Sequence, residues 1–178
     1  MKPMIRGASA LLLSLSCLAL APQASAAQAA APQPRVVAQH ISPGSFSETL
    51  TALTTQLEAD GWSQITSIDL GGRIAKKGVQ IPAGLVVLEL ANCKNAIPIL
   101  KSDETRYLSA MMPCRLSIYG LSDGRVVVAH LNTGLVGAMM DPMIGEVMAS
   151  IDLHLDDSIQ RALAKVHPKE QQAKGKVL

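Results

Sequence analysis

Aromatic residues are nearly missing from this chain: Phe46, Trp62, Tyr107 and Tyr119 are the whole set. A core must therefore be assembled from Leu, Ile, Val and Met, and stacking platforms for single-stranded nucleic acid or sugars are largely excluded. Excess charge is also lacking, with 16 Lys and Arg against 14 Asp and Glu. A nucleic-acid binder would show a basic surplus, so that class is set aside. The apolar run from Ala8 to Ala21 is shorter than the roughly twenty residues of a bilayer-spanning helix, and no permanent membrane anchor is expected. No glycine-rich fingerprint joins a strand to a helix, no Gly-x-Ser-x-Gly elbow occurs and no Cys-x-x-Cys is present. Cysteine is limited to Cys17, Cys93 and Cys114.

The first residues have the layout of a secretory leader. Lys2 and Arg6 precede the apolar run, and Pro22 and the triplet Ala24, Ser25, Ala26 come after it. Cleavage is expected after Ala26, placing the mature chain in the periplasm or outside the cell. Cys17 lacks the leucine three places upstream that a lipid-attachment site carries, so it is expected to leave with the leader. Loss of Lys2 and Arg6 leaves 14 basic residues to balance the 14 acidic ones. Residues 27–36, rich in Ala, Gln and Pro, read as a flexible spacer, residues 37–165 as one domain, and residues 166–178 as a disordered basic tail.

Within the domain, Val36 to Ile41 reads as a strand. Ser45 and Glu48 form a capping box ahead of a helix whose apolar stripe is Leu50, Leu53 and Leu57, ended by Asp60-Gly61. Trp62 to Leu70 alternates as a strand would, and Gly71-Gly72 and Lys76-Lys77-Gly78 interrupt the pattern between Leu70 and Leu85. Leu85 to Leu90 is a continuous apolar run, predicting a central strand buried on both faces. A short helix from Lys94 to Ser102 comes next. Arg115 to Leu121 and Arg125 to Leu131 flank Ser122-Asp123-Gly124, a strong hairpin signal. Asp141-Pro142 caps a final helix running to Ala164, with a stripe from Ile144 to Leu163. This order predicts an α+β domain: a two-layer mixed or antiparallel sheet of about five strands with helices on one face.

Several of these segments together resemble the DUF302 family. Gly61-Trp62 matches the Gly-aromatic pair after that family's long helix. Asn92-Cys93-Lys94-Asn95-Ala96 matches its Cys-Asn-Pro-x-x-Ala turn, although the Asn-Pro is absent here and Asn92 precedes the cysteine. Met112-Pro113-Cys114 matches a Leu-Pro-Cys segment leading into the hairpin, and Ile118-Tyr119 with Asp123-Gly124 completes the set. The resemblance spans Val37 to Lys165 and implies a compact two-layer fold, often dimeric, with no established activity.

Cys93 and Cys114 are the two cysteines left after cleavage, and three readings stay open. A structural disulfide would close a loop of about twenty residues, worth roughly 3 kcal/mol. Soft-metal binding, to Cu(I), would draw on Cys93, Cys114, Met111, Met112 and His130. Thiol redox or sulfur handling would need a lowered thiol pKa, for which Lys94 and Arg115 stand in sequence beside the two cysteines. Each reading requires antiparallel strands, or a connection that returns to the same edge, so that the two cysteines reach one end of the sheet. Asn92, Arg115, Tyr119 and His130 are further candidates to contact a small ligand.

His40, His130, His154 and His167 read as scattered, Asp156-Asp157 as a solvated helix face, and Arg73, Lys76 and Lys77 as an exposed turn able to hold a small anion. The expectation is an exported, non-enzymatic binding or accessory module, held by a Cys93–Cys114 bond and possible as a homodimer, for a small ligand. A periplasmic redox protein and a copper protein are the alternatives.

Overall fold

A computed structural model describes residues 35–168. The expected leader, the spacer up to Pro34 and the tail from Lys169 lie outside the described residues. Strands β1 (Val37–Ser42), β2 (Ser63–Asp69), β3 (Leu85–Ala91), β4 (Cys114–Gly120) and β5 (Val126–Leu131) form one sheet in the order β1-β5-β4-β3-β2. Every neighbouring pair is antiparallel. The expected α+β architecture is what the chain adopts.

Helix α1 (Phe46–Ala59) starts at the capping box: the Ser45 hydroxyl accepts from the Glu48 amide and the Glu48 carboxylate accepts from the Ser45 amide. It ends at Asp60, and Gly61 comes next with φ +83°, the left-handed value that glycine adopts without strain. Helix α5 (Pro142–Ala164) starts with the Asp141 carboxylate accepting from Met143 N and with proline in its first turn. These two helices pack on one another and on the sheet. Leu53, Leu57, Leu88, Leu90, Leu116, Ile118, Val126, Val128, Leu155 and Ile159 fill the space between. Truncating a fully buried member such as Leu116 would cost about 2–5 kcal/mol.

Five elements differ from the sequence reading. Asp69 caps a short helix α2 (Leu70–Ala75), accepting from Gly72 N, where a glycine pair had signalled a break. A 3₁₀ turn (Arg106–Met111) and helix α4 (Thr133–Gly137) fill segments with no clear periodicity. In β3 the run is continuous in sequence but only one face is covered: Leu88 and Leu90 are buried while Val87 and Glu89 are half-exposed. On edge strand β2 the register slips between Gln64 and Thr66, a bulge that leaves Ile65 exposed.

The uncovered face has one closed patch. Gln39 on β1 donates through Nε2 to the Tyr119 hydroxyl on β4, 2.9 Å away, across the intervening β5. Val127 and Ala129 of β5 lie between those flanking positions and are buried although no helix among the described residues covers them. Val166, where the tail was expected to begin, is buried as well. Among the described residues no helix is long and apolar enough to cross a membrane.

Candidate functional site

The antiparallel β3–β4 pair brings both cysteine turns to the same end of the sheet, because Leu90 faces Cys114 in register and Cys93 comes three residues later. Asn92 ends the strand and caps helix α3 (Cys93–Leu100), its side chain accepting from Asn95 N. The expected Cys93–Cys114 disulfide is not formed, and both cysteines are free. The helical turn supplies the reason. Cys93 is exposed at the first helical position, whereas Asn95 and Ala96 are the residues of α3 that share a cavity with Cys114.

Cys114 stands on the helix-covered side of β4, beside three adjoining hollows. The largest, about 260 Å³, is lined by Met111, Met112, Pro113, Cys114, Thr133 and Leu155, with Arg115 and Leu131 also on its wall. A second runs from Met112 and Cys114 to Trp62, Asn92, Asn95 and Ile151. The third adds Met148, so that three methionine side chains and one thiol meet at a single space. Burial pushes the Cys114 thiol above its ordinary value, and the charge of Asp152 adds to the effect. The indole Nε1 of Trp62 is buried without a hydrogen-bond partner.

The other candidates divide between the two faces of the sheet. Arg115 pairs with Glu89 on the uncovered face, its Nη2 3.0 Å from Glu89 Oε1, and Tyr119 is engaged there by Gln39. His130 lies on the covered face opposite Leu116 and is fully buried. Met139 and Met143 are exposed.

The histidines are not all scattered. The β1–β5 pairing sets His40 beside His130, and α5 lays Asp156 against both. His40 Nε2 is 2.8 Å and His130 Nε2 3.5 Å from Asp156 Oδ1. His130 Nδ1 is 3.1 Å from the carbonyl of Leu131 and 3.8 Å from Asp152 Oδ1. Asp152 is itself held by the Thr133 amide at 2.9 Å. Period-two spacing places each histidine on a strand face, but only the strand order makes the two strands neighbours.

An open antiparallel sheet with two long helices on one face, and a cavity at the β3–β4 end, defines a small two-layer α+β domain. The chain belongs to the DUF302 family: the family model described as "Domain of unknown function DUF302" matches residues 38–166. A crystal structure of an uncharacterized conserved DUF302 protein from Bacillus stearothermophilus is similar, with a TM-score of 0.65 and 23% identity over 72% of this chain and 99% of that one. At that identity the likeness shows the fold. A comparison with curated proteins gives no significant match.

Proposed function

We propose that this protein is an exported, non-catalytic binding module whose ligand is a small, mostly apolar molecule seated beside Cys114. The observation that carries this reading is the 260 Å³ cavity walled by Met111, Met112, Pro113, Cys114 and Leu155. Small-molecule sites are concave and largely apolar, with a few polar groups that fix orientation. Thr133 is a polar group on that wall, and Trp62 offers a buried donor in the adjoining hollow. A ligand with one acceptor oxygen suits this lining. Export is supported by the Lys2, Arg6, apolar-run and Ala24-Ser25-Ala26 pattern.

The rival thiol-exchange reading draws less support. Exchange needs a thiolate formed at modest pH, and the Cys114 thiol is pushed the other way. Its partner Cys93 faces solvent. Copper is favoured by one observation, the convergence of Met111, Met112, Met148 and Cys114 on one hollow. Thioether and thiolate donors select Cu(I).

Titration of the labelled protein with cyclohexanone, followed by amide and methyl NMR, tests the cavity. Shifts concentrated at Met112, Cys114, Thr133 and Leu155 are expected, and shifts spread evenly or absent would overturn it. Sequencing the amino terminus of protein recovered outside the cytosol should begin at Ala27. A full-length chain retained inside would remove the export claim. Cu(I) uptake that survives Cys114→Ser unchanged would dispose of the copper reading.

A further inference from the structure

We infer that His40, His130 and Asp156 form a binding site for a divalent transition-metal ion of the Zn²⁺ class, separate from the Cys114 cavity. One ligand atom from each residue lies within 4.8 Å of the other two, and Asp156 Oδ1 is 2.8 Å from His40 Nε2 and 3.5 Å from His130 Nε2. The donors are two imidazoles and one carboxylate, a set that suits zinc and its neighbours rather than calcium or magnesium.

The protonation pattern makes the case. A carbonyl oxygen can only accept, so the Leu131 carbonyl 3.1 Å away requires the hydrogen of a neutral His130 ring to sit on Nδ1. In that neutral ring His130 Nε2 is a bare lone pair. It is buried, makes no hydrogen bond, and faces the Asp156 carboxylate oxygen at 3.5 Å. Two acceptors pointed at one another repel, and a buried nitrogen left without a partner is destabilising. His40 Nε2 is likewise buried without a hydrogen bond, although Asp156 Oδ1 is only 2.8 Å away. A cation between the three atoms satisfies all of them together.

The outer partners agree with this arrangement. Metal-binding histidines commonly donate their second nitrogen to a carbonyl or carboxylate. His130 does so to Leu131, with Asp152 Oδ1 3.8 Å from the same nitrogen. Gln160 donates to Asp156 Oδ2 at 2.5 Å, which leaves Oδ1 turned to the histidines. The rings of His40 and His130 stack at 5.8 Å between centroids and 4° between planes. Metal binding would draw their Nε2 atoms together. Three protein ligands leave at least one position for water or an exogenous ligand.

The test titrates the full mature chain with Zn²⁺ in a non-coordinating buffer by calorimetry, and with Co²⁺ by absorption. One ion per chain is expected, with a raised melting temperature and ligand-field bands lacking thiolate charge transfer. His40→Gln and Asp156→Asn change partly exposed side chains and should each weaken binding roughly 10-fold or more, while Cys114→Ser leaves it unchanged. Nitrogen NMR of the native protein should show His130 Nε2 shifting on metal addition, without a variant at that buried position. Three results would each overturn the proposal: no saturable uptake, native affinity retained in both variants, or Co²⁺ bands that vanish in Cys114→Ser.

Discussion

His40 and His130 stack in parallel although they are not register partners: His40 faces Val128 and His130 faces Ala38 across the β1–β5 pair. They are diagonal neighbours on the helix-covered side, where long side chains still reach one another. Helix α5 approaches from above with Asp152, Leu155 and Asp156 on its inner side. Asp156 meets the histidines, Asp152 steadies Thr133 and raises the Cys114 thiol, and Leu155 closes the cavity wall. One helical turn therefore serves both the histidine cluster and the cysteine corner.

The two thiols should differ sharply in reactivity. Cys93 is exposed on the first turn of α3, while Cys114 is half-buried and its thiol is pushed up. With a disulfide reagent near neutral pH, a native chain that begins at Ala27 should lose one thiol quickly and the second much more slowly. Both should react at once in denaturant. A Cys93→Ser variant should retain only the slow phase, and a fast phase in that variant would contradict the placement of Cys114.

Gly120 closes β4 under the Pro82–Gly84 turn. A Cβ there would overlap the Pro82 carbonyl oxygen, closer than backbone atoms tolerate. Its own amide donates to Gly84 O at 3.1 Å, so the turn cannot move away without losing that bond. Gly120→Ala should destabilise the domain by about 1–3 kcal/mol in denaturant unfolding. Gly124→Ala meets no neighbour, but φ is +84°, so backbone strain alone should give a smaller loss, about 1 kcal/mol.

How much was legible depends on which signals are local. The Ser45-Glu48 box, the Asp123-Gly124 hairpin and the Asp141-Pro142 start depend on residues a few places apart, and each element forms where its signal stands. Ile65 belongs to the segment read as an alternating strand, and a bulge, which has no pattern of its own, leaves it exposed. The cysteine corner was half readable. Antiparallel pairing did bring Cys93 and Cys114 to one end, but the turn set by Asn92 directs Cys93 to solvent. The histidine cluster was unreadable because β1 pairs with β5, the last strand in sequence, and no motif announces that neighbour.

The Gln39–Tyr119 bridge should shield the centre of the uncovered face. Tyr119→Phe keeps the ring and removes the hydroxyl that accepts from Gln39. The bond joins partly exposed groups, so the loss should be about 0.5–1 kcal/mol. Amide exchange separates this effect from general loosening, since Val127 and Ala129 should show faster exchange than Leu116 or Ile118. Uniform acceleration across the sheet would mean that the bridge does not cover β5.

Asp60 and Arg161 tie the end of α1 to α5, with Arg161 Nη2 2.9 Å from Asp60 Oδ2. Burial raises the Asp60 pKa. Hydrogen bonds from Gln56, Arg161 and Ser158 and the Arg161 charge outweigh it, bringing the carboxyl from 3.8 to about 2. A folded value below the unfolded one means that the native state releases this proton more readily. The stabilisation is therefore complete above pH 3.8 and is lost as pH falls toward 2. Arg161 is partly exposed and screened by solvent, so the contribution is on the order of 1 kcal/mol. Asp60→Asn should lower unfolding stability by that amount at pH 7, and the gap to the native chain should close at about pH 2. A gap that stays constant across this range would show that Asp60 acts through packing and its helix-end position rather than through its charge.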